Sequence, residues 1–151
     1  MHELFAPFML SDMLLSNRMV MAPMTRNRAA PEGVPSLLMA IHYGQRGDAG
    51  LVISESAPVS AQGVGYPGTP GMYTEEQAQG WRKVTDAVHA KGGHIFAQLQ
   101  HCGRISHPSI QVDEELPVAP SAIKPEGLAV TYGGMQPFLT PRALTTAEIP
   151  Q

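Results

Sequence analysis

One cysteine, Cys102, stands in 151 residues, which excludes an internal disulfide and fits a reducing compartment. Charge is also sparse: charged residues make up 15% of the chain, with 10 basic against 13 acidic, for a net charge of -3. Nothing clusters Lys and Arg into a footprint for nucleic acid, and no acidic tail is written. No segment approaches the roughly 20 apolar residues of a membrane helix, and "MHELFAPFML" lacks the basic start and unbroken apolar core of a signal peptide. The composition therefore predicts a cytoplasmic protein whose partners are small molecules. What the chain does have is turn-formers. Its 15 Gly and 14 Pro imply long ordered loops between short regular elements, where sites are often built.

Three apolar runs are predicted strands: "RMVMAPM" at 18–24, "GLVISESA" at 50–57 and "HIFAQLQ" at 94–100. None alternates cleanly, and near-continuous apolarity is what strands buried on both faces of a parallel sheet show. Between the first two, Leu37, Leu38, Met39 and Ile41 give helical spacing before Gly44 and Gly47 end it. Between the second and third, Thr74 and Gln77 form a capping box, Trp81, Val84 and Val88 make an apolar stripe, and Gly92 and Gly93 supply the stop. Strand, helix, strand, helix, strand is the order of βαβ units and predicts an α/β fold. Ahead of it, "FAPFMLSDMLLSNR" reads as a small hairpin turning at Ser11 and Asp12, placed as a lid on the bottom of a barrel. After a Pro/Gly-rich excursion at 117–141, Thr145 and Glu148 write another capping box, the start of a third helix that the chain does not go on to supply. The expectation is a leading portion of something longer. Three strands and two helices leave both sheet edges unpaired.

Several patterns invite chemistry that their context denies. His94, His101, Cys102 and His107 crowd one stretch, but His94 opens a strand while the others lie past its end, and no second pair completes a zinc spacing. No metal site is expected. "GVGYPG" at 63–68 matches a dinucleotide fingerprint, yet Pro67, Pro70 and Gly71 intervene before a helix whose own cap is Thr74, so a loop over a site is the better reading. Ser54 and Ser56 lack a nucleophile elbow. The nine methionines read as core filler.

More informative are the polar or turn-forming groups at the carboxyl end of each strand: Pro23, Met24 and Thr25 after the first, Ser56 and Ala57 after the second, Gln98 and Gln100 in the third. In a parallel barrel that end builds the active site. An amide and a hydroxyl cannot transfer protons at neutral pH, but they can hydrogen-bond a planar heterocycle that has both donors and acceptors. The competing reading is that Gln98 satisfies a buried polar contact and Thr25 caps a turn.

Taken together, "NRMVMAPMTRNRA", "AGLVISESAPVSAQGVGYPGTPGMYTEEQ", "HIFAQLQHCGRISHPS" and the ending "PRALTTAEIP" resemble, in order and spacing, the leading portion of the Old Yellow Enzyme family of flavin-dependent ene-reductases. The resemblance implies a (β/α)₈ TIM barrel, with residues 1–151 as the amino-terminal part of a single FMN-binding domain: the hairpin and about three strands and two helices. It implies an oxidoreductase that uses NAD(P)H to reduce the C=C bond of activated alkenes, enones and nitro compounds among them. The hydride would pass through flavin N5 to the β-carbon, with protonation at the α-carbon.

By that resemblance Pro23, Met24 and Thr25 wrap the FMN isoalloxazine, and the Thr25 hydroxyl donates to the flavin carbonyl next to N5, tuning its potential. Ala57 contacts the same edge through its backbone, Gln98 grips the pyrimidine end, and Tyr66 and Gln100 line the substrate pocket. Gln100 stands where many relatives carry Trp, so stereochemical preference does not transfer. The family's substrate-activating His/Asn or His/His pair, its tyrosine acid and its phosphate-holding arginines belong to later strands. No catalytic residue is therefore assigned in this chain, which is expected to be inactive without the C-terminal remainder of the barrel. The alternative is a non-catalytic assembly module that pairs with a separate C-terminal half.

Overall fold

The computed structural model describes residues 3–149. The chain divides into two compact units, Met1–Ala57 with Gly68–Leu99 and Pro58–Pro67 with Gln100–Gln151.

The first unit opens on the predicted hairpin. β1 (Phe8–Leu10) pairs antiparallel with β2 (Met13–Leu15), and Ser11 takes the left-handed φ of 55° that the tight turn needs. β3 (Val20–Met21) is far shorter than the apolar run 18–24. Pro23 has no N–H to give a ladder, so pairing stops just before it. α1 (Leu37–Gly44) is capped by Ser36, whose hydroxyl accepts from Met39 N–H, and β4 (Leu51–Pro58) follows. Gly50, which leads into β4, cannot carry a side chain: a Cβ there would lie 2.0 Å from the Asn17 carbonyl oxygen, while the Gly50 N–H donates to Asn17 Oδ1 at 2.9 Å. α2 (Glu75–His89) has the predicted capping box, with both Thr74 and Gln77 engaged, and β5 (Ile95–Gln100) closes a three-stranded sheet of order β3-β4-β5. β3 and β4 are parallel, Val20 opposite Leu51 and Met21 opposite Val52.

The core of this unit joins Met39, Ala40 and Tyr43 of α1 to Val52 and Ala57 of β4 and to Trp81, Val84 and Val88 of α2. The α2 stripe is thus the one read from the sequence. The α1 face is not. Leu37, Leu38 and Ile41, whose spacing announced the helix, are 71%, 68% and 49% exposed, and the small residue Ala40 and the aromatic Tyr43 are buried instead. Periodicity located the helix but not its inward face, since apolar residues cover nearly its whole circumference. The methionines correct a second expectation. Met39 is buried and Met21 and Met72 pack against the core, but Met9, Met19, Met24 and Met135 are exposed.

The second unit turns the Pro/Gly-rich excursion into structure that composition did not foretell. β6 (Val118–Ala119) pairs parallel with β9 (Arg142–Ala143), and β7 (Leu128–Thr131) and β8 (Gly134–Pro137) form a hairpin between them in sequence. At residues 145–148 both halves of the predicted capping box are formed, and a single 3₁₀ turn, Thr146–Glu148, begins there. Arg142 pairs with Glu148 at 2.9 Å. Among the described residues no helix is long and apolar enough to cross a membrane.

Candidate functional site

The end of β3 hands the chain to a loop without regular structure, and Pro23, Met24 and Thr25 lie at its start, Pro23 half-buried and the other two exposed. Next to it in the sheet, β4 carries two kinds of polar group. Ser54 is buried; its hydroxyl donates to the Glu55 carbonyl at 2.8 Å and accepts from the Gln98 N–H at 3.1 Å. It therefore stitches β4 to β5, which is the opposite of a free nucleophile. Ser56 donates its hydroxyl proton to Gln98 Oε1. Ala57 is wholly buried beside it.

That contact fixes the Gln98 carboxamide. With Oε1 engaged, Nε2 is left as the donor end of a half-buried amide on β5. The sheet order sets β4, which carries Ser56 and Ala57, between β5, which carries Gln98, and β3, whose following loop carries Thr25. Every side-chain group in that set is neutral, offering a hydroxyl, a carboxamide and a small methyl, with backbone amides alongside. Such a set suits a neutral planar heterocycle with donors and acceptors on its edge. It does not suit a metal or a proton-transfer step.

Sequence reasoning missed the charged residue in the middle of β4. Glu55 is fully buried. Its Oε2 accepts the Arg26 N–H at 3.0 Å, its Oε1 accepts from the Tyr43 hydroxyl at 3.3 Å, and its own N–H donates to that hydroxyl at 2.7 Å. Burial raises its pKa above the usual carboxylate range, against the opposing pull of those hydrogen bonds. Burial likewise pushes Tyr43 up. The signal was available: an acidic residue inside a strand buried on both faces requires partners. Beside it lies a cavity of about 170 Å³ lined by Arg26, Arg28, Leu38, Met39, His42 and Glu55. His42 Nε2 is buried there without a partner, and burial, with Arg46 and Arg26 nearby, lowers its pKa.

Tyr66 and Gln100 belong to the second unit. Gln100 ends β5 and its carbonyl accepts from Val59 N–H at 3.1 Å. Tyr66 lies half-buried in the loop that resembled a dinucleotide fingerprint. That loop is tied down by Ser106 and Gln111, which both donate to the Val64 carbonyl, and Gly65 packs so closely on Cys102 that a Cβ would come within 2.4 Å of it. No helix opens at its end, as α2 begins only at Glu75. A cavity of about 1000 Å³ in the same unit, lined in part by Gln62, His101, Cys102 and Arg104, contains none of the residues read as flavin or substrate contacts. Burial raises the Cys102 pKa and holds it as a thiol. His101 Nδ1 accepts from Gly103 N–H, His107 Nδ1 from Ser109 N–H, and His94 donates to the Leu14 carbonyl. Among the described residues no three His, Cys, Asp or Glu side chains gather around a common point.

The sequence pattern of the NADH:flavin oxidoreductase / NADH oxidase family matches residues 3–151. The chain belongs to this family. It is 43% identical to 12-oxophytodienoate reductase 7 of Oryza sativa subsp. japonica, a match covering 98% of the chain and 38% of that protein. It is 42% identical to a probable flavin mononucleotide-dependent alkene reductase of Leishmania infantum, over 95% of the chain and 40% of that protein. Among solved structures it superposes with a TM-score of 0.92 on the old yellow enzyme homologue of Zymomonas mobilis, at 44% identity, covering 98% of the chain and 41% of that one. Morphinone reductase in complex with tetrahydroNAD gives a TM-score of 0.89 at 50% identity, with 97% and 42% covered. The chain thus spans about two fifths of the length of the relatives it matches. They are TIM barrels, and the match is to their N-terminal portion, so β3, α1, β4, α2 and β5 are the opening strands and helices of a (β/α)₈ barrel. FMN is the family's cofactor, with a nicotinamide reductant.

Proposed function

We propose that this chain is the flavin-binding opening of a cytoplasmic NAD(P)H-dependent alkene reductase, part of one barrel domain that further strands complete. The observation that carries the reading is the fixed carboxamide of Gln98. Its donor end stands on β5, next but one to the strand that Thr25 follows, with Ala57 on β4, the strand between.

The chemistry FMN supplies when bound is two-electron: a hydride is taken from a reduced nicotinamide and one is given to an activated alkene, an enone or a nitroalkene. The work of this chain is to bind and orient. Thr25 donates its hydroxyl proton to a flavin carbonyl and so favours the negative charge of the reduced ring. Gln98 hydrogen-bonds the pyrimidine edge through the Nε2 end of its amide, held in register by Ser56. Pro23 and Met24 pack against the ring, and Ala57, having no side chain beyond Cβ, lets its backbone approach. Tyr66 is assigned to the substrate side by its resemblance to the family motif, and Gln100 by its position in that motif, where many relatives carry Trp.

The test is the visible spectrum of the purified chain, with the masses of everything that co-purifies. A flavin band supports the reading, and Thr25→Ala is then expected to shift the reduction potential. A second reading has its own observation: β5 presents Phe96 at 46% and Leu99 at 60% exposure on an outer strand of its sheet. A colourless oligomer would favour an assembly module that pairs with a separate C-terminal half.

A further inference from the structure

We propose that Glu55 is a positioning residue for the flavin-contacting turn: from the interior of β4 it sets the Thr25–Arg26 peptide and thereby where the Thr25 hydroxyl points. This rests on the flavin reading of Thr25.

Glu55 is the only fully buried carboxylate among the described residues, and no guanidinium or ammonium pairs with it. A buried charge with no ion-pair partner is costly, and an apolar side chain of the same volume would often be more stable there. Its hydrogen bonds say what it does instead. Oε2 takes the N–H of Arg26, the peptide whose carbonyl half belongs to Thr25. Oε1 is held by Tyr43, which is itself buried in α1 and braced by the Glu55 N–H, so the carboxylate has little freedom to swing away.

The turn needs such a hold. Residues 22–30 form no helix or strand, and Asn27 sits at a left-handed φ of 53°, so no regular ladder holds this stretch. Further along, Ala29 N–H is anchored on the Gly68 carbonyl and the Arg28 carbonyl on Ser36. Ahead of those anchors, Glu55 is what fastens the backbone that carries Thr25.

Hydrogen exchange of the full 151-residue chain, resolved to the Arg26 amide, tests this before any flavin is added. Glu55→Leu is expected to speed that exchange by about tenfold, the loss of one buried hydrogen bond, while the amides of α2 keep their protection. Glu55→Gln keeps an acceptor oxygen in place and is expected to return exchange to near the wild-type rate. FMN is then titrated in, followed by quenching of its fluorescence. Affinity is expected to fall about fivefold in Glu55→Leu and to recover in Glu55→Gln.

Unchanged Arg26 exchange in Glu55→Leu overturns the proposal. Fast exchange with wild-type FMN affinity also overturns it, since Glu55 would then serve the fold alone. If Glu55→Leu strips protection from α2 as well, Tyr43→Phe carries the test: it removes the brace on Oε1 together with the acceptor of the Glu55 N–H but leaves the carboxylate in place, should speed Arg26 exchange by a smaller factor, and refutes the proposal if it does not. If the chain binds no FMN even when supplied with the remaining strands of the barrel, yet shows the expected exchange pattern, the flavin reading is refuted and with it the purpose given to Glu55.

Discussion

The Ser56 hydroxyl on β4 donates to Gln98 Oε1 on β5, so a residue with no assigned contact to any ligand decides which end of the carboxamide points outward. Gln98→Ala removes the proposed flavin contact itself. Ser56→Ala leaves the amide present but free to rotate, and its cost should be the smaller. The expected FMN affinities are lowered about tenfold or more for Gln98→Ala and about threefold for Ser56→Ala, read by flavin fluorescence in the flavin-bound protein. Equal losses would mean that Ser56 contacts the flavin directly.

Met39 and Met24 should respond oppositely to truncation. Met39 is 2% exposed and Met24 61%. Met39→Ala is expected to cost about 2–5 kcal/mol in urea denaturation, because it opens a cavity beneath Tyr43 and Val52. Met24→Ala should stay within about 0.5 kcal/mol. Leu38→Ala, on the outward side of α1, should behave like Met24→Ala.

Gln77 should be among the least replaceable polar residues. It is 1% exposed; its Oε1 accepts from the N–H groups of Tyr73 and Thr74, and its Nε2 donates to the Glu32 carbonyl at 2.9 Å. Gln77→Leu fills the same space but leaves three backbone groups without their partner. The expected loss is at least about 2 kcal/mol, measured by thermal unfolding.

Two carboxylates should give stability opposite slopes with pH. Glu148 is held at about 2 by Arg142 and by the Thr145 N–H and hydroxyl. Its folded value lies below its unfolded one, so its contribution is present above the ordinary carboxylate range and is lost as pH falls toward about 2. Glu55, facing Tyr43, Arg26, Arg28 and His42, is shifted up by burial. Its contribution is complete at acid pH and fades as pH rises through its folded value. Glu148→Gln should therefore remove the acid-side loss, and Glu55→Gln should flatten the decline above it. Chemical denaturation at a series of pH values distinguishes the two.

Much of this could be read from residue order. Strand ends rich in Thr, Ala and Gln, the Thr74/Gln77 cap and the Trp81, Val84, Val88 stripe are local signals, and the structure reproduces the elements they mark. What escaped depended on distance in sequence. That α1 buries Tyr43 rather than Ile41 is decided by the Glu55 carboxylate twelve residues on, which offers the phenol a partner no leucine could use. The β7–β8 hairpin and the β6–β9 pair lay inside a stretch whose composition reads only as loop, because two- to four-residue strands leave no periodicity to detect.

The cap of α2 is also a clasp. Gln77 grips the Glu32 carbonyl, Gly71 N–H donates to the Gly33 carbonyl, and the Trp81 indole N–H donates to the Gly71 carbonyl, all at 2.8 to 2.9 Å. The turn at residues 31–33 and the first turns of α2, some forty residues later, therefore open and close as one event. A protease that nicked the short turn would unseat the start of the long helix, and new termini created by circular permutation would be tolerated poorly there despite its place on the surface.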